Sequence, residues 1–315
     1  MSLDEEEVKT YSELIVKIRS KLLFKMKGWV DSFRETVEGL EVPGHGIEDA
    51  PVFDGVVGAV DGGSSIIPFA DRLVGIASAL SIEADESYRR RIAEPRILLQ
   101  ERDEDDGEFM DRVDMERETM MMSLANKTIE DVELLMVDGP LIPRPEYIGE
   151  YLYQLRRLLE KAEEERKLLV GFVKRPQSMF IEEFRELGFT DRAILSSLLG
   201  KLQVYPWPPR RHEVRFFELR YTYIKLLDPP LPGVFRLDFP KHLSDEEILS
   251  IIGYVAASSD PWRGVPAIIL KADEEVKMSK RLITDLYRDC FSKISSSLDP
   301  SLWSPLAPRW GELLW

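Results

Sequence analysis

Apolar residues in this chain follow two rhythms, and the switches between them predict its elements. Leu14, Ile15, Ile18, Leu22 and Leu23 recur at helical spacing among charges, so residues 4–40 read as one or two amphipathic helices. They are expected to pack on the body or on a second subunit. A Pro- and Gly-rich break follows at 43–46. Three apolar runs then come without a helical stretch between them: 56–60, LVGIASALSI from Leu73, and RILLQ from Arg96. Strands in direct succession predict an antiparallel meander. The acidic stretch 101–108 reads as a solvated loop, and 110–127, rich in methionine, returns to helical spacing. VELLMV at 132–137 predicts a buried strand, 146–167 a long charged helix, and LLVGFVK at 168–174 another buried strand. Beyond Pro176 the pattern predicts a helix to Leu199, a rigid loop at YPWPPRR and a hairpin over 215–239. A final helix over 271–294 precedes an irregular tail holding Trp303, Trp310 and Trp315.

The order three strands, helix, strand, helix, strand is that of the ribonuclease H-like fold, in which the first and fourth strands lie side by side. Here both end in the same chemistry. VVGAVDGGSS (56–65) places Asp61 at the expected last residue of its strand, with Gly62 and Gly63 to turn the chain, and VELLMVDGP (132–140) repeats the design with Asp138, Gly139 and Pro140. Asp-Gly is a common turn dipeptide, and an Asx-turn explains one such acid without chemistry. Two carboxylates on neighbouring strands repel each other unless a cation offsets them, so the pair points to a divalent metal. The helix between them offers a third acid: Glu118 interrupts a stripe made by Met115, Met122 and Ala125, while Glu116, beside Val113 and Met120, stands as its alternative.

Composition narrows the metal and the partners. The chain has 315 residues, 44% of them hydrophobic, enough for one large domain or two modest ones with a real core. Its one cysteine, Cys290, and three histidines, His45, His212 and His242, leave no material for a cysteine-rich zinc site, so a hard ion bound by oxygen is expected. A net charge of −15 opposes indiscriminate binding to nucleic acid, yet leaves local phosphate-facing clusters at 89–91, at Lys174 with Arg175, and at Arg210, Arg211 and Arg215. One asparagine and four glutamines in a highly charged chain fit a thermophile. No apolar run reaches the roughly 20 residues of a membrane span, and no signal peptide is recognisable, so a cytoplasmic protein is expected.

From Val56 onward these segments resemble the archaeal and bacterial NurA nucleases. The resemblance rests on AVDGGSS at 59–65, the Glu118 helix, LMVDGPL at 135–141, VGFVKRPQS at 170–178, TDRAILSSLL at 190–199 and VFRLDFP at 234–240. It implies an α/β fold: a ribonuclease H-like mixed five-stranded sheet flanked by helices. A helical N-terminal segment (1–45) would precede a nuclease domain (46–315) with an irregular C-terminal addition. It also implies hydrolysis of DNA dependent on Mn2+ or Mg2+, a homodimer, and work with the hexameric HerA-type ATPase in DNA end resection and repair. Carried over, Asp61, Glu118 and Asp138 are the expected catalytic and metal-binding acids, and Lys174 the basic residue beside them that would hold the scissile phosphate. Asp273, expected at the start of the last helix, stands where the family has a histidine and is expected to join the metal-binding acids. Ser64, Lys174, Arg175, Arg210 and Arg211 complete the expected DNA-facing set. Val265 and Ala267 occupy positions where the family carries tyrosines, which supports a second reading: a NurA-like subunit of reduced catalytic power that serves DNA binding or assembly. A third reading, an actin-like ATPase or sugar kinase, shares an AxDGGSS-like phosphate loop but predicts a second glycine-rich loop, which the sequence lacks.

Overall fold

The computed structural model describes residues 11–69, 72–84, 89–229 and 233–277, and further along 285–286, 288–290 and 292–293. The tryptophan tail, residues 4–10 of the first predicted helix and part of the last one lie outside the described residues. In chain order the elements are α1 (Tyr11–Val37), β1 (His45–Gly46), β2 (Val57–Phe69), β3 (Arg72–Ala84), β4 (Arg90–Ile92), β5 (Arg96–Leu99), α2 (Asp106–Thr128) and β6 (Leu134–Val137). They continue with α3 (Glu150–Glu164), β7 (Leu168–Val173), α4 (Glu182–Arg185), α5 (Asp191–Leu198), β8 (Gln203–Val214), β9 (Phe217–Lys225), β10 (Val234–Pro240), α6 (Asp245–Ser258) and α7 (Ala267–Val276).

All the strands join one mixed sheet in the order β1-β8-β9-β10-β7-β6-β2-β3-β4, with β5 also on β3. The five strands that the pattern predicts form its heart, third-second-first-fourth-fifth, the third being β5, and the short β4, which the pattern does not predict, pairs with β3 beside it. β2 and β6 run parallel from Val57↔Leu134 to Val60↔Val137, and β6 and β7 run parallel beside them. Instead of stopping at five strands, the sheet continues through β10, which pairs antiparallel with β7 at Arg236↔Val173. An open edge on so apolar a strand leaves backbone groups unpaired, and the β9–β10 hairpin covers it.

Alternation along the strands sends side chains to two separate cores. Val57, Ala59, Leu134, Met136, Val170 and Phe172 pack with α6 and α7. Val60, Leu135, Val137 and Leu169 face the other way, toward α2, α3 and α5. The protein is thus a three-layer α/β/α unit, and each such buried aliphatic contributes about 1.5–3 kcal/mol. α2 begins with a capping box in which the Asp105 carboxylate accepts from the Glu108 amide while Glu108 reaches back, so the predicted acidic loop ends as a built helix start.

Four local expectations change. DGGSS is no turn: β2 runs on through it for 13 residues in continuous register with β3, from Val57↔Ala84 to Phe69↔Arg72. An unbroken antiparallel ladder outweighs the turn preference of Asp-Gly, and this mid-strand setting also removes the phosphate-loop reading. YPWPPRR is part of β8, its prolines lying in the irregularity between Tyr205 and Arg210 where no ladder amide is needed. The helix predicted up to Leu199 divides into α4 and α5, the second capped by the Thr190 hydroxyl. The helix predicted from Lys271 opens earlier, at Ala267, and closes at Val276, so Asp273 sits well inside it. No helix among the described residues is long and apolar enough to cross a membrane.

Candidate active site

Asp61, Asp138 and Asp273 converge at the edge where the parallel pairing of β2 with β6 ends. Each offers one carboxylate oxygen, and these lie within 4.8 Å of one another. Strand alternation puts Asp61 on the same side as Val57 and Ala59, the side on which α7 packs. Its Oδ1 accepts from the Gly62 amide at 2.7 Å. Asp138 follows β6 directly, held by its own amide donating to the Val60 carbonyl at 2.9 Å. Asp273 arrives from α7, and Gly63 permits that approach: a Cβ there would lie 2.6 Å from the Val276 carbonyl oxygen. Lys174, just past β7, completes the group with Nζ 2.5 Å from Asp138 Oδ2 and 3.7 Å from Asp273 Oδ1. Lys277 also pairs with Asp273.

The electrostatics are strained in a telling direction. Burial, and then the charge of Asp138, push the Asp61 carboxyl up to about 8, against the pull of Lys174. Burial likewise raises Asp138, although Lys174 opposes it. Burial works upward on Asp273 too, but Lys277 and Lys174 hold it below the ordinary value. Without a cation, then, the protein keeps a proton on Asp61 near neutral pH. Fully ionised, the three carboxylates carry more negative charge than Lys174 and Lys277 offset, and an all-oxygen donor set of that kind fits a hard divalent cation.

Glu118 is not one of these three. It is buried, 4% exposed, and rises from α2 on the opposite face of the sheet. Arg117 donates to its Oε1 at 2.7 Å, and its Oε2 has no hydrogen-bond partner. That free oxygen points toward the segment after Asp138: a Cβ on Gly139 would lie 3.7 Å from it. Burial raises its carboxyl above the ordinary value, against Arg117 and Arg144. Both helix glutamates have an arginine partner, Arg96 for Glu116 and Arg117 for Glu118, but Glu118 is the one with a buried free oxygen near Gly139.

The expected DNA-facing set divides. Ser64 is exposed on β2, three residues beyond Asp61, and Arg175 is exposed next to Lys174. Arg210 and Arg211 are not brought to the acids. They are successive residues of β8, hence on opposite faces, and three strands away from β7, roughly 14 Å at the usual strand spacing. Arg210 is engaged by Glu183 through two bonds of 2.7 and 2.6 Å, and Arg211 by Glu218 at 3.4 Å.

A second polar group escaped the sequence reading. Asp238, fully buried on β10, accepts from the Leu141 and Ile142 amides at 3.1 and 3.2 Å, which anchors the loop after Asp138. Arg236 grips it at 2.7 and 3.0 Å and donates to the Ser178 hydroxyl at 2.9 Å, which anchors the loop after Lys174. Tyr223 links Ser178, at 2.8 Å, to Asp191, at 2.6 Å. The signal was present in VFRLDFP, where Arg236 and Asp238 share one face of an otherwise apolar strand.

The NurA domain profile matches residues 55–278. The crystal structure of the NurA nuclease from Sulfolobus solfataricus superposes with a TM-score of 0.67 at 14% identity, over 93% of this chain and 99% of that one. A crystal structure of NurA with manganese gives 0.60 at 12% identity, over 89% and 99%. One of NurA bound to dAMP and manganese gives 0.53 at 12%, over 87% and 97%. At such identities the likeness is one of fold. Among curated proteins, no sequence matches the chain.

Proposed function

Because the chain belongs to the NurA family, we propose that it is a nuclease that hydrolyses the phosphodiester bonds of DNA with the help of Mn2+ or Mg2+. The observation that carries this reading is the convergence of the Asp61, Asp138 and Asp273 carboxylates within 4.8 Å. These three would hold the cation, and the orphaned Glu118 Oε2 on the far side of Gly139 is the fourth oxygen within reach of the same segment. When bound, a divalent cation polarises a phosphoryl oxygen and makes a water molecule a better nucleophile. The chain's own residues do the rest. Lys174, poised between Asp138 and Asp273, offers its ammonium to a phosphate oxygen. Asp61, whose carboxyl burial and Asp138 raise, would be a ligand to that cation in its deprotonated form. The Arg236–Asp238 pair keeps both loops in place so that little reorganisation accompanies binding. Support for the metal and the substrate also comes from the similar NurA structures that hold manganese and dAMP.

Association belongs to the same proposal. α1 buries none of its residues, leaves Leu14, Ile15, Ile18, Leu22 and Leu23 exposed, and touches the body through Trp29 and Phe33 against Phe189. A second copy of the chain is the partner we propose for that stripe, and a HerA-type hexameric ATPase the partner of the dimer in cytoplasmic end resection. The competing reading, a subunit of reduced catalytic power, draws on Val265, a core residue 5% exposed where the family has tyrosine. Incubation of end-labelled DNA with the purified protein decides between them. Cleavage in manganese that stops in EDTA is the expected result. A folded protein inert in both, with and without a translocase, supports the second reading.

A further inference from the structure

A cavity of about 580 Å³ is walled by the loops that follow β6 and β7. Pro140, two residues past Asp138, and Arg175, next to Lys174, both line it, so the segments that supply two site residues run straight on into its walls. Its charge is opposite to that of the chain as a whole. Arg144, Arg175 and Arg236 face one acid, Glu146, in a protein of net charge −15. Arg236 is engaged by Asp238, but neither Arg144 nor Arg175 forms an ion pair among the described residues. They differ in this from Arg210, whose guanidinium is held bidentate by Glu183. A planar guanidinium without a carboxylate partner, on a concave wall, is suited to a phosphate.

The far wall adds a second chemistry. Phe180 and His212 lie stacked there, ring centroids 4.2 Å apart and 26° from coplanar, with the Arg236 guanidinium 4.7 Å from the Phe180 centroid, so His212 is the outer ring of the stack. Aromatic faces beside phosphate-binding cations are what a base and its backbone require, and the volume suits a ligand of nucleotide size. We propose that this cleft holds one nucleotide unit, its phosphate on Arg144 and Arg175 and its base against His212, which Phe180 backs, beside the phosphate that the acids receive. The ligand rests on the nuclease reading, since a strand entering that site continues here. Two sources share the chemistry: the neighbouring nucleotide of an intact strand, or a released mononucleotide.

The test measures binding in EDTA, where no cleavage intervenes, by fluorescence anisotropy of a labelled 12-nucleotide single strand and by its displacement with thymidine monophosphate. Arg144→Gln and Arg175→Gln, both at exposed positions, are compared with Lys201→Gln, which removes one positive charge from a surface ion pair elsewhere. Each arginine change is expected to weaken strand binding about tenfold and to lower the salt dependence by roughly one phosphate contact, with the lysine control at wild-type affinity. Loss for the strand alone assigns the cleft to an intact strand, and loss for the mononucleotide alone assigns it to the released product. Wild-type binding of both probes by both arginine variants, or an equal loss in the lysine control, overturns the proposal. Failure of the nuclease reading shows separately, as absence of manganese-dependent cleavage, while the binding comparison still decides the cleft.

Discussion

Two clusters of charge sit a few residues apart in this protein and obey opposite rules. Around Asp238 every charge has its partner: Arg236, two backbone amides, and through Ser178 and Tyr223 the carboxylate of Asp191. Around Asp61 the carboxylates face one another, with Lys174 and Lys277 as partial compensation and a proton retained on Asp61. A satisfied buried network stiffens the fold, whereas an undercompensated one stores repulsion that a ligand can relieve. The first cluster is therefore a scaffold and the second a socket, and the scaffold holds the loops on which the socket depends.

The sharpest way to break this contrast is to remove one acid from each side. Asp61→Ala should lower manganese-dependent cleavage by about a thousandfold or more, roughly 4 kcal/mol of lost transition-state stabilisation, while the metal-free thermal midpoint stays level or rises. A large loss of stability in that variant would make Asp61 a structural residue. Asp238→Ala should do the reverse. It leaves the Arg236 guanidinium buried without its counter-charge and is expected to cost about 3–5 kcal/mol in urea unfolding, with cleavage falling as the loop after Asp138 loosens. A loss below about 1 kcal/mol would show that the network is not the scaffold described here.

pH separates the clusters more gently. The folded-state pKa of Asp61, pushed up to about 8 by burial and by Asp138, exceeds its unfolded value, so the folded protein binds more protons than the unfolded chain between about pH 4 and 8. Stability without divalent ions should fall as pH rises across that window, and Asp138, raised in the same direction, adds to the fall. Asp273, lowered below its ordinary value, acts at more acidic pH and leaves the window untouched. Thermal midpoints measured from pH 5 to 8 with EDTA and with manganese check this: the decline should appear in EDTA and flatten or reverse with the ion. The smallest effect is expected at β8, where Arg210→Gln should cost about 0.2–1 kcal/mol through its partly exposed pair with Glu183 and leave cleavage unchanged. A marked loss of cleavage would return that strand to the DNA-facing surface.

Much of this was legible before the fold was known, for a physical reason. Apolar periodicity is imposed locally by burial, so the chain displays β2, β3, β6 and β7 and the helices between them, and an acid placed directly after each of two buried runs stands out against them. Turn chemistry misled at Asp61-Gly62-Gly63 because the hydrogen bonds of a long ladder with β3 outweigh a dipeptide preference. Arg210 and Arg211 looked like one basic patch on paper, but adjacent residues of a strand point to opposite faces.

By itself, then, the sequence determined the order of the elements, the two apolar faces of the central strands, and the acids at 61 and 138, since each is written in residues close together along the chain. Asp273 was expected among them only from the family likeness; tertiary structure decided that it arrives through a helix seated against Gly63, that Glu118 stays on the other side of the sheet, and that Arg236 and Asp238 neutralise each other beneath the site. Those outcomes depend on which layers pack together and on which carboxylate reaches which cation. Distances across a folded core fix both, and no local pattern along the chain encodes them.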